Sequence, residues 1–156
     1  NLLLSESFIG FVMALNGLFI VLVEMVLVYK LEGRRHNLVY IAWGVFICAL
    51  AFFTLALPLG GVLVTFIMIA LLTLGEIVCM PFMASYWTMR SDETNRGQYA
   101  ALFTISWGVA QSLGPFICSL IADHLSFFVL FIFLGTLLLI SAWGFHRLER
   151  EYVSPA

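Results

Sequence analysis

The chain has 156 residues, 63% of them hydrophobic and 10% charged, with a mean hydropathy of +1.08. Such a composition excludes a soluble globular domain and a disordered one. The net charge of −2 decides nothing, because in so apolar a chain the placement of charge matters and its sum does not.

Five apolar segments follow one another at about 8–29, 38–57, 62–87, 98–121 and 127–145. Each approaches or exceeds the roughly 20 residues that cross a bilayer as a helix, and each is too long and too uniformly apolar for a barrel strand. The expected fold is therefore an all-α integral membrane protein with five transmembrane helices. The first segment carries Asn16 and Glu24, two turns apart and close in angle around the helix axis. It ends at the charged turn Lys30-Leu31-Glu32-Gly33-Arg34-Arg35-His36. The second ends at Pro58-Leu59-Gly60-Gly61, a helix breaker.

The third segment is the most informative. It holds Thr73 and Gly75-Glu76, with Pro81 five residues after the carboxylate, and closes on Tyr86-Trp87. An ionisable group near the middle of a membrane helix costs on the order of 3 kcal/mol on insertion scales, so it marks a functional position. Pro81 has no N–H for the carbonyl of Ile77, which weakens the helix one residue after Glu76. The polar stretch that begins at Arg90 reads as a loop. The fourth segment carries a small-residue stripe, Ala110, Gly114 and Cys118, suited to close helix contact. Beside it lie Thr104, Trp107 and Gln111, which suit a polar path, and Gly114-Pro115 is expected to break the helix. A turn at Asp123–Ser126 leads to the fifth segment, and the polar run His146–Tyr152 reads as a tail.

With segments alternating in direction, all seven Lys and Arg fall on one side: Lys30, Arg34, Arg35, Arg90, Arg96, Arg147 and Arg150. The positive-inside rule makes that side cytoplasmic. Tyr29, Tyr40, Trp43, Tyr86, Trp87, Tyr99 and Trp143 sit where interfacial anchors sit. Cys48, Cys79 and Cys118 lie in apolar runs and read as small buried residues, with neither a disulfide set nor a metal site. No nucleotide loop, ligand cluster or nucleophile set is legible, so no enzyme, cofactor or nucleic-acid partner is expected. The chain starts with Asn, which suggests a fragment or a processed product.

Taken together, Gly75-Glu76 with Pro81, then the loop Arg96-Gly97-Gln98-Tyr99, then Gly114-Pro115, resemble the tenth and eleventh helices of major facilitator superfamily transporters. The likeness is nearest to their proton-coupled drug antiporter branch, and proton-coupled peptide transporters carry a similar tenth helix. Lys30 to Arg35, through Glu32, Gly33, Arg34 and Arg35, resembles the cytoplasmic loop signature repeated between helices eight and nine, with Lys30 where the signature is acidic. The resemblance spans nearly the whole chain, as helices eight to twelve of twelve. It implies a partial C-terminal transmembrane bundle, residues 1–156, whose N-terminal half and helix seven lie elsewhere in the transporter. It further implies a small organic substrate, coupling to protons at Glu76, and a cavity lined by Asn16, Glu24, Thr73, Trp107 and Gln111. Pro81, Ala110, Gly114, Pro115 and Cys118 would act in hinging and packing. Peptide or nutrient uptake is one alternative; a non-transporting assembly partner in the membrane is another.

Overall fold

The computed structural model describes residues 6–57 and 62–153, with side chains described at Leu18, at 20–57 and at 64–152. Five helices make up the described chain: α1 (Glu6–Leu31), α2 (Asn37–Ala56), α3 (Val62–Arg90), α4 (Arg96–His124) and α5 (Phe127–Val153). Among the described residues, four stretches, in α2 to α5, are long and apolar enough to cross a membrane. Helices are the form that satisfies every backbone N–H and C=O within one segment where no water is present.

The helices outrun the apolar segments. α3 continues past Tyr86-Trp87 to Arg90, and α4 starts at Arg96 inside the expected loop. α5 takes in the expected tail through Val153. Hydropathy measures the span within lipid, whereas Arg, Gln and Glu are good helix formers and carry the helix on into water. The expected break at Gly114-Pro115 is also absent: α4 is continuous through Pro115, and α3 through Pro81.

The chain divides into two compact units, residues 1–35 and 36–156. The first is α1, closed by Gly33, which takes a φ of +76° that suits glycine. Arg34 N–H bonds the Leu31 carbonyl at 3.1 Å across this turn. Asn16 lies outside the residues whose side chains are described, and so does the Pro58–Gly61 breaker.

In the second unit α2 is central. His36 caps it, its ring accepting the Leu38 N–H at 3.3 Å. One face of α2 runs antiparallel to α3. Tyr40 packs on Phe82 with ring centroids 4.4 Å apart, Gly44 meets Gly75 and Cys79, and Cys48 Sγ approaches the Leu72 carbonyl at 3.9 Å. Tyr40, expected as an interfacial anchor, is buried in this seam. The other face of α2 runs antiparallel to α5, where the Phe53 ring fills the space a side chain at Gly135 would take. Burial of Leu38, Ile41, Ala49 and Ala51 to 0% exposure follows from that position between two neighbours. The N-terminus of α2 and the C-termini of α3 and α5 share one end of the unit. α4 touches α3 and α5 only lightly, and none of its described residues is buried.

Candidate functional site

Gly44 and Gly75 set the site's geometry. The seam locks Gly75 against α2, and the next residue on a helix is turned by about 100°, so Glu76 projects to the side of the seam. Its side chain is exposed on the described chain, although the neighbouring Ile77 and Cys79 are buried. Thr73, one turn earlier, is half-buried.

Glu76, Met80, Met83 and Trp87 recur at i, i+4, i+7 and i+11 and so share one face of α3. At its end Trp87 stacks on Phe103 of α4 at 5.8 Å, and Phe103 stacks on Trp107 at 6.5 Å. From that stack Glu76 and Gly114 each lie eleven residues away, or about 16 Å along their helices. Helical register thus brings Glu76, Gln111, Gly114 and Pro115 to one level between the ends of α3 and α4. Trp107 is 46% exposed, and Ala110, Gln111 and Pro115 are exposed. Cys118 is half-buried, and a Cβ on Gly114 would meet nothing within 4 Å. Within the described chain, then, the Ala110–Gly114–Cys118 stripe is open. Trp87 presents a buried indole N–H with no acceptor among the described residues. Glu24 belongs to α1 and is half-buried there.

Two features escaped sequence reasoning. One is Phe103, the middle ring of the stack joining α3 to α4. The other is the seam itself, built from Gly44-x-x-x-Cys48 and Gly75-x-x-x-Cys79. That four-residue spacing of small residues is the same signal as the one in α4, and it was there to be read.

The basic end is also organised. Arg90 donates to the hydroxyls of Tyr86 and Tyr152, the latter at 2.8 Å, and sits 4.6 Å from the centroid of the Tyr152 ring. In the α3–α4 loop Asp92 accepts from the Thr94 hydroxyl at 2.6 Å, the Thr94 N–H at 2.9 Å and the Asn95 N–H at 3.1 Å. These donors hold its carboxyl below the usual range, the Thr94 hydroxyl most of all. Arg96 is exposed at the start of α4, and Glu32, Gly33, Arg34 and Arg35 are exposed in the turn that closes α1.

Membrane-length helices with a carboxylate and two internal prolines hold features that a plain anchor does not need. A family model for the Major Facilitator Superfamily matches residues 1–155, and the chain belongs to that superfamily of membrane transporters. Comparison with curated proteins and with solved structures returned no match.

Proposed function

We propose that the chain forms helices eight to twelve of a proton-coupled transporter that moves a small organic solute across the cytoplasmic membrane. The N-terminal half and helix seven would come from the rest of that protein. Gly75-Glu76 with Pro81 supports proton coupling, in drug efflux or in peptide uptake alike, and the one-sided basic residues favour a cytoplasmic C-terminus.

The observation that carries this reading is Glu76, a carboxylate within the 29-residue apolar helix α3, exposed on a face shared with Trp87 and level with Gln111 and Pro115. A carboxylate that gains and loses a proton changes the cost of holding it in an apolar setting by several kcal/mol, on the order of what shifts a two-state equilibrium. Proton binding at Glu76 therefore biases which side of the membrane the cavity opens to. Pro81 and Pro115 leave the carbonyls of Ile77 and Gln111 without their helical donors, so both helices can flex at the depth of the carboxylate.

Glu76→Gln in the whole transporter keeps the shape and mimics the protonated acid. In proteoliposomes it abolishes pH-driven solute movement and retains part of the solute exchange. Unchanged transport with an unchanged pH dependence would make Glu76 a packing residue and overturn the proposal.

A further inference from the structure

Between α2 and α5, on the side away from α3, lies an open groove of about 390 Å³. Its walls are Trp43 and Phe46 on α2 and Trp143 and His146 on α5. Ala42 and Ala142, both buried, are too small to fill it. Trp43 and Trp143 are 59% and 60% exposed, so two indoles flank the groove without covering it. Both stand towards the end of the unit that carries Arg90, Arg96, Arg147 and Arg150, the level at which tryptophan marks a membrane surface.

The charge at the mouth is not symmetric. Arg147 lies over the Trp143 ring at 4.9 Å, and among the described residues it has no carboxylate partner. Arg150 follows on the same helical stripe, at i+7 from Trp143, and is exposed. Of the two nearby acids, Glu149 is held by His146, with Nδ1 3.1 Å from the carboxylate, and the exposed Glu151 makes no ion pair among the described residues. The result is an apolar slot with, at its polar end, a guanidinium that has no carboxylate partner among the described residues.

We infer that this groove binds one anionic phospholipid of the basic-side leaflet, with an acyl chain between Trp43 and Trp143 and the phosphate on Arg147. A zwitterionic phospholipid offers the same phosphate but adds a cationic headgroup beside Arg147 and Arg150, whereas an anionic one brings net negative charge. The phospholipid matches both parts, as basic pockets between membrane helices do. Arg147 keeps its stem along the Trp143 face and presents its fork to the phosphate, the geometry at which arginine is strongest.

The test is tryptophan quenching in the purified transporter, reconstituted in nanodiscs with brominated phosphatidylglycerol or brominated phosphatidylcholine. The groove signal is the part that disappears in Trp43→Phe and Trp143→Phe. Half-maximal quenching of that part is expected at about a fivefold lower mole fraction of the anionic lipid. Arg147→Gln keeps part of the stem on Trp143 but loses the guanidinium, so it removes the preference and leaves quenching by both lipids. Equal quenching in the unsubstituted protein would mean ordinary boundary lipid, and the proposal would fall. It would fall equally if neither lipid quenched, because another protein segment would then cover the groove.

Discussion

Gly44 and Gly75 meet backbone to backbone in the α2–α3 seam, and a Cβ on either would lie 2.7 Å from the carbonyl oxygen of the other. No rotamer relieves such a contact, because backbone stands on both sides. Gly44→Ala and Gly75→Ala must push the helices apart, and each is expected to cost about 1–3 kcal/mol, the usual range for overpacking. Gly75→Ala also turns Glu76 away from its position, so transport should fall further than stability does. Thermal melting of the detergent-purified protein beside transport in vesicles checks this. An unshifted melting temperature for both variants would mean that the seam is looser than described.

The count and order of the helices were legible because each apolar run is long enough to cross lipid and is bounded by charge or by a turn. What could not be read was which side of each helix faces its neighbours. In a helix apolar all round, the hydrophobic pattern carries little directional signal. Tyr40 shows the consequence: its place near a helix end suggested an anchor, yet it packs on Phe82 inside the bundle. The small-residue stripe at Ala110, Gly114 and Cys118 was legible as a pattern but not as a contact, and among the described residues the tight contact lies at Gly44 and Gly75. Glu76 stood out because a carboxylate in an apolar run is costly wherever it points. Its relation to the Trp87–Phe103–Trp107 stack needed the third dimension.

Asp92 gives a pH prediction. Its folded carboxyl is held below its unfolded value, chiefly by the Thr94 hydroxyl. A depressed carboxyl contributes stability that is present above the unfolded pKa, about 3.9, and is lost as pH falls through the folded value. The α3–α4 loop should therefore order near pH 7 and loosen below about pH 4. Asp92→Asn should loosen it already at neutral pH and flatten the dependence. Limited proteolysis at Glu93 against pH reads this out, and identical digestion of both proteins across the range would count against the capping role.

Topology is testable at two turns. Leu125 lies between α4 and α5 and is 66% exposed, whereas Glu93 is exposed between α3 and α4 at the basic end. Single cysteines at these positions, in a background lacking Cys48, Cys79 and Cys118, should label from opposite faces of the membrane. An impermeant maleimide applied outside whole cells should modify Leu125→Cys and spare Glu93→Cys. Labelling of Glu93→Cys alone would invert the orientation, and labelling of both would remove α4 as a membrane-crossing helix.

The cluster at Arg90 ties the excursions of α3 and α5 beyond their apolar segments to each other. Arg90 ends α3, Tyr152 lies in the last turn of α5, and the guanidinium bonds the Tyr86 and Tyr152 hydroxyls while lying against both rings. All three groups are at least partly exposed, so the gain is modest, about 0.5–1 kcal/mol for an exposed cation–π pair. Its effect is local: without it the polar turn of α5 from His146 onward has little to hold it, because isolated helical ends fray. Tyr152→Ala is expected to speed amide exchange over residues 146–152 several-fold, on the order of what 1 kcal/mol of lost protection allows, with the α2–α3 seam unaffected. Tyr152→Phe keeps the ring and loses the hydroxyl, so it should fall between wild type and Tyr152→Ala. Arg90→Lys keeps the charge but not the fork that reaches two hydroxyls, and should behave like the loss of one bond. A double-mutant cycle between Arg90→Gln and Tyr152→Ala isolates the pair, and a coupling of zero would reduce the cluster to two surface side chains that happen to lie together.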